Sequence, residues 1–174
     1  NTGKKVYVLA QCVYTKYQFG REKIIRIPVS TGAACHFAYQ QAVLKGLLEL
    51  IERDNFSLHY LIKTSPVNIV YEQDKILKTL IESFQKALKV RIFVLDFSYD
   101  FPVYAIGVIF LNQERQKVMS IGLGCDFDLR ATVKHALLEA YKAYQSFHQY
   151  HDVPVEDINF DKIESLFRSN QVYW

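Results

Sequence analysis

Cysteine is scarce in this chain, and the three present, Cys12, Cys35 and Cys125, form an odd set with no CxxC pair and no histidines at ligand spacing. Neither a disulfide framework nor a zinc site is therefore indicated, and a reducing cytoplasm fits. Cys35 and His36 are adjacent, but sequence neighbours rarely face each other, and a free cysteine ordinarily serves as a small hydrophobe. Long apolar runs are missing too. The longest, such as residues 103–111, fall well short of the ~18 residues a membrane-spanning helix needs, so no membrane partner is expected. The net charge of +3 is mild and the basic residues are dispersed, which leaves no stripe for a nucleic-acid groove. Tyr14-Thr15-Lys16-Tyr17 offers aromatics beside a lysine, yet it reads as a strand face rather than a base-stacking platform. There are no repeats, low-complexity stretches or clear linkers. Methionine occurs once, at Met119, and the chain starts at Asn1, which leads us to expect an excised piece of a longer protein.

What is present is a core. Half of the 174 residues are hydrophobic, with 12 Tyr and 12 Phe, enough for one packed domain over residues 1–174. Alternation over residues 4–14 predicts a strand, paired with residues 24–29 as a hairpin. A long helix is expected over 37–61, stopping before Ser65-Pro66 because the residue before proline leaves helical geometry. A short strand over 67–71 and an amphipathic helix over 74–88 follow. Residues 90–97, 103–111 and 117–121 read as an antiparallel meander. Gly122 and Gly124 then read as a turn, with Asp126 or Asp128 capping a helix over 129–150. Asp161 is expected to cap a short terminal helix. The fold class is α/β, a mixed and largely antiparallel sheet with flanking long helices.

The stretch whose pattern is most informative about chemistry runs from Ser30 through Asp54. On its helix, Gln41, Lys45, Glu49 and Glu52 form a polar line, while Val43, Leu44, Leu47, Leu48, Leu50 and Ile51 cover much of the remainder, which predicts a mostly buried helix. Two glutamates three residues apart in a partly buried cleft repel unless a cation or basic group balances them, and that geometry suits a divalent cation carrying phosphate. The same letters also describe a solvated face, with Glu49 paired to Arg53 and Lys45 to Glu49. Farther on, His135, Glu139, Lys142 and Ser146 form a second polar line, opposite Val133, Ala136, Leu137, Ala140, Tyr141 and Tyr144. If the two long helices lie across one sheet, Glu139 can join Glu49 and Glu52 around a shared cation. Otherwise it pairs with His135 and Lys142. Gly122-Leu123-Gly124 could offer backbone N–H groups to an anion, and Asp96, Ser98 and Asp100 beside Pro102 read either as a site rim or as turn chemistry.

Several of these blocks resemble one family in order. Ser30, Gly32 and Ala34, then Glu49, Glu52, Arg53 and Asp54, are similar to the turn and the ExxER helix of YcaO proteins. Asp96, Ser98, Asp100, Pro102 and Val103 resemble that family's D-x-T/S-x-D-x-x-x-P-V segment. Gly122-Leu123-Gly124-Cys125-Asp126 and Ala136-Leu137-Leu138-Glu139-Ala140 resemble its glycine-rich segment and A-L-x-E-A helix. The resemblance covers about residues 5–150 and implies the central portion of a YcaO domain, lacking flanking elements.

The resemblance implies ATP and Mg²⁺ as cofactors, with Glu49, Glu52 and Glu139 on the metal and Lys45, Arg53 and Lys142 joining them around the nucleotide. No catalytic residue is singled out. It implies ATP-dependent activation of peptide backbone amides, as in azoline or thioamide formation, with a precursor peptide or protein as substrate and a companion protein or self-association. The chain departs from the family at Gln41, Lys45, His135, Lys142 and Tyr144, and its last residues, Val172-Tyr173-Trp174, are not the Pro-rich tail of cyclodehydratases. These departures keep open a second reading, a degenerate or partial module acting as a scaffold or partner subunit.

Overall fold

A computed structural model of the chain describes residues 3–14, 20–25, 29–112, 114 and 117–150, with the side chains of 147–150 excepted. It divides into two compact units, one from Asn1–Ala33 with Asp157–Trp174 and one from Ala34–Glu156. The expected terminal helix after Asp161 lies outside the described residues, as do 26–28 of the expected first hairpin.

In the first unit the expected strand over residues 4–14 is replaced by an irregular segment and a short helix, α1 (Ala10–Val13). Gln11 explains the substitution. Its buried side-chain amide donates from Nε2 to the Lys23 carbonyl and accepts at Oε1 from Ile25 N–H, both at 2.9 Å. One side chain thus satisfies the backbone groups that a neighbouring strand would otherwise pair. The Ser30 segment is a tight turn: Ala33 N–H donates to Ser30 O at 2.8 Å, and Gly32 sits at φ 78°, where glycine is favoured.

The second unit holds the sheet. Its order is β1 (Val67–Asn68), β2 (Val90–Asp96), β3 (Tyr104–Asn112), β4 (Val118–Asp126), and every pairing is antiparallel. Residues of period two on one face, including Val94, Val108 and Phe110, form the main core with two helices. These are α3 (Lys75–Leu88), entering through Leu77 and Ile81, and α4 (Leu129–Tyr150), entering through Val133, Ala136, Leu137 and Ala140. The α4 contacts are the apolar line read from the sequence. Asp74 caps α3 through Ile76 and Leu77 N–H, and Asp128 caps α4 through Ala131 N–H. Arg130 Nε donates to Asp74 Oδ2 at 2.5 Å, tying the two helix starts together.

The other face is covered by α2 (Tyr39–Ile62), whose Phe56 and His59 stand edge-on to Phe97 at 5.4 and 5.3 Å between ring centroids. Helix α2 ends as Lys63 turns left-handed, just before Pro66. Its packing departs from the expectation of a mostly buried apolar helix. Gly46, Glu52 and Asn55 are its buried residues, whereas Val43, Leu47 and Leu50 are 42%, 50% and 45% exposed. Glu52 and Asn55 therefore face inward while Gln41 and Lys45 of the polar line stay exposed, and the apolar set divides, with Leu44, Leu48 and Ile51 half-buried and Val43, Leu47 and Leu50 outward.

The Gly122 segment also differs from expectation. Residues 122–124 are not a turn: β4 runs through them to Asp126, and α4 begins only at Leu129. Their smallness serves close packing, since a Cβ at Gly122 would lie 2.1 Å from both Ala136 O and Ala140 N. Helix backbone and strand backbone meet there without intervening side chains. No helix among the described residues is long and apolar enough to cross a membrane.

Candidate functional site

Strand β4 lies at the end of the sheet order, so among the described residues alternate N–H groups along it have no strand to pair with. One of these, from Leu123, donates to Glu139 Oε2 of α4 at 2.7 Å. The close seat of α4 at Gly122 lets the glutamate reach that edge. From the opposite face α2 brings Glu52, 8% exposed and close enough to Glu139 and Glu49 to feel both charges. Two long helices on opposite faces therefore present carboxylates at one sheet edge.

Electrostatics distinguish Glu52 from an ordinary surface glutamate. Burial pushes its carboxyl up to about 7, the charge of Glu139 adds to this, Arg53 opposes it, and Glu49 raises it further. Arg53 lies 3.7 Å through Nε from Glu52 Oε1 and 4.0 Å through Nη2 from Glu49 Oε1. These distances are ion-pair distances, too long for hydrogen bonds. Arg53 Nε is buried with no hydrogen-bond partner among the described residues. One guanidinium thus serves two carboxylates without closing on either, so the solvated-face alternative describes Glu49–Arg53 but not Glu52.

Lys45, Lys142 and His135 are exposed and stand outside these pairs. Gln41 is exposed as well. The sequence pattern missed Asn55, which is 3% exposed, donates from Nδ2 to Ile51 O at 2.8 Å, and leaves Oδ1 buried without a partner among the described residues. Its signal was its place three residues after Glu52 on the same helix face. Cys125, read from the sequence as a free thiol in the glycine-rich block, has its thiol pushed up to about 11 by burial, then by the charges of Glu52 and Asp126. That thiol stays protonated at neutral pH and is no nucleophile in this state.

The remaining candidates resolve as local structure. Asp96 Oδ1 accepts from Ser98 N–H at 2.8 Å and Ser98 Oγ accepts from Ala105 N–H at 2.9 Å, which is turn chemistry. His36 Nδ1 accepts from Ala38 N–H at 3.1 Å rather than activating Cys35. The N–H of Leu123 is spent on Glu139, and Gly122 and Gly124 lie within a strand, so this segment is not an anion-binding helix start. A cavity of about 540 Å³ lies elsewhere, lined by Gln85, Lys86, Leu88, Lys89, Asn112 and Glu114, none of them a site candidate.

Hard oxygen donors with one balancing guanidinium fit a divalent cation of the Mg²⁺ type, whose charge would offset the burial, and then the repulsion from Glu139 and Glu49, that push the Glu52 carboxyl up. Among the described residues, no three His, Cys, Asp or Glu side chains are already gathered as metal ligands.

Residues 1–173 match a family model described as YcaO cyclodehydratase, ATP- and Mg²⁺-binding. No curated protein matches the chain. Among solved structures, a heterocyclase in complex with substrate and cofactor is 18% identical at TM-score 0.72, over 84% of this chain and 20% of that one. A YcaO protein from Methanopyrus kandleri bound with AMPPCP and Mg²⁺ is 24% identical at TM-score 0.61, over 82% of this chain and 38% of that one. The E. coli microcin synthetase McbBCD complex with pro-MccB17 bound is 20% identical at TM-score 0.59, over 74% of this chain and 35% of that one. The chain thus spans between a fifth and two fifths of the length of these structures. They share its antiparallel sheet with flanking helices.

Proposed function

The chain belongs to the YcaO family, and from that premise we propose that it forms part of a protein that activates peptide backbone amides with ATP and Mg²⁺. The observation that carries this reading is Glu52, a buried carboxylate near pKa 7 facing the charges of Glu139 and Glu49. Such a group is costly to keep ionised unless a cation is to be bound. Glu49, Glu52 and Glu139 would hold Mg²⁺, which when bound would neutralise and orient the phosphates of ATP. Arg53 would restrain Glu49 and Glu52 and turn its unpartnered Nε toward a phosphate oxygen. Leu123 N–H would hold one Glu139 oxygen and leave the other for the metal.

In the proposed reaction an external nucleophile adds to the amide carbon. The former carbonyl oxygen takes the terminal phosphoryl group of ATP, ADP departs, and loss of phosphate removes that oxygen from the peptide. The chain's contribution is positioning and charge neutralisation. The substrate would be a precursor peptide or protein, with companion subunits, in the cytoplasm. A second reading, a scaffold module without catalysis of its own, draws support from Lys45 and Lys142, which are exposed and outside the cluster.

Calorimetric titration with ATP, with and without Mg²⁺, tests the proposal alongside Glu49→Gln/Glu52→Gln. Saturable Mg-dependent binding abolished by the double variant is expected. Binding unaffected by the variant would place the nucleotide elsewhere, and partner capture without nucleotide binding would favour the scaffold.

A further inference from the structure

The end of the sheet next to the carboxylate cluster carries a surface that the proposed site does not use. The β2–β3 connection and the β4–α4 connection leave the sheet at the same end, because Tyr104 pairs with Asp126. Three large aromatics stand out from these connections: Tyr99 is 66% exposed, Phe101 50% and Phe127 59%. Among the described residues nothing covers these rings, and neighbouring exposed aromatics are the composition of a docking surface.

The two connections themselves carry charge of one sign. Asp100, Asp126 and Asp128 interleave with the aromatics, and residues 97–103 and 126–129 contain no Lys, Arg or His. Arg130, the next cation along the chain, bonds to Asp74 and also lies near enough to Asp128 for their charges to interact. Asp126 and Asp128 each accept locally through Oδ1, from Phe127 and Ala131 N–H respectively. Aromatic faces beside carboxylates suit a side chain that is cationic at its tip and aliphatic along its stem. The surface is continuous with the candidate site: Asp126 follows Cys125, whose thiol feels the charge of Glu52.

We infer that this aromatic and acidic rim docks a basic segment of the peptide substrate, holding Lys or Arg side chains flanking the amide to be modified. The inference rests on the peptide-activating reading above. Docking at the rim would deliver the adjoining residues to the edge of β4, where the carboxylates converge, and would make substrate choice depend on flanking charge rather than on the modified residue alone.

The test uses a fluorescent peptide alternating Lys and Arg with Leu, its Glu-substituted counterpart, and two variants of the full chain, Asp100→Lys and Phe101→Ser/Phe127→Ser. All altered side chains are exposed, and circular dichroism checks the fold. The basic peptide should bind and the acidic one should not, with each variant binding about ten-fold more weakly and Mg-ATP titration unchanged. Equal binding of both peptides, unaltered affinity in the folded variants, or no binding of the basic peptide overturns the inference. Rim-dependent binding without any ATP-dependent turnover would retain the docking surface and remove the reaction assigned to it. Turnover whose peptide KM ignores both variants would do the opposite.

Discussion

Leu123 and Glu139 are joined by a 2.7 Å hydrogen bond from a strand N–H to a helix carboxylate. The bond crosses from a sheet edge to the helix packed on it, and it exists because Gly122 admits the backbone of α4 at Ala136 and Ala140. It fixes one oxygen of Glu139 beside Glu52 and so couples packing of the sheet to the charge state of the candidate site.

Replacing Glu139 separates its two roles. Glu139→Gln keeps an oxygen that can accept from Leu123 N–H but removes the charge that helps raise Glu52, so the Glu52 carboxyl should fall toward its ordinary range. Glu139→Ala also removes the acceptor, and leaving the N–H unpaired should cost about 1–3 kcal/mol. Urea denaturation should rank the alanine variant below the glutamine one, with both losing Mg-dependent ATP binding. Equal stability of the two would mean that water replaces the carboxylate at Leu123.

Glu52 predicts an unusual pH dependence. Its folded pKa of about 7 lies above the ordinary value of 4.5. Its favourable contribution is therefore fully present below pH 4.5 and is lost as pH rises to about 7. In metal-free buffer this amounts to about 3 kcal/mol of stability lost across that window. Chemical denaturation in chelator at pH 5 and 7.5 should show the loss, and Glu52→Gln should abolish it. Added Mg²⁺ should restore stability at the higher pH if the carboxylates bind it. A flat profile in the unaltered protein would contradict the assigned burial of this charge.

Much of this fold was legible because local signals and packing agree. Helix α4 spans residues 129–150, as its apolar spacing and Asp128 indicate, and α3 follows Asp74 for the same reason. Periodicity failed on α2, where Glu52 and Asn55 face the sheet while Val43, Leu47 and Leu50 face away. A hydrophobic stripe tells which residues avoid water but not which surface covers them. At Gly122 and Gly124 the smallness that permits a turn also permits a helix to approach, and only the position of Ala136 and Ala140 decides between them. Gln11 misled similarly, since its segment looks strand-like until the side chain is seen bonding to Lys23 and Ile25. The motif placed Glu49, Glu52 and Glu139 as candidates, but the ordering role of Leu123 N–H is a backbone feature that no residue letter records.

Glycine substitutions should expose the difference between backbone and side-chain crowding. At Gly122 an added Cβ meets backbone atoms at 2.1 Å, whereas at Gly107 it meets the Phe97 ring, with Cε2 at 2.5 Å and Leu123 Cδ2 at 3.4 Å. A ring edge can shift, but a helix backbone can move only as a whole. Gly122→Ala should therefore cost about 3 kcal/mol or more, and Gly107→Ala less. Thermal unfolding gives the order. If the Gly122 variant still folds, displacement of α4 should also weaken Mg-dependent ATP binding through Glu139, an effect absent from Gly107→Ala.

Asp74 supports two helices at once, accepting from Ile76 and Leu77 N–H at the start of α3 and from Arg130 at the start of α4. The bond from Arg130 holds its carboxyl below the ordinary range, with the backbone N–H groups adding to the effect. Because the folded pKa is lowered, the stabilisation is present above the ordinary Asp range and is lost as pH falls through the folded pKa. Asp74→Asn should retain the cap and lose the ion pair; Asp74→Ala should lose both. The pair is exposed, so salt should erase the difference between wild type and the Asn variant while leaving the alanine variant less stable. Combining Asp74→Asn with Arg130→Ala should then destabilise no further than Arg130→Ala alone. An additive double variant would mean that Arg130 stabilises the helix junction through contacts other than Asp74.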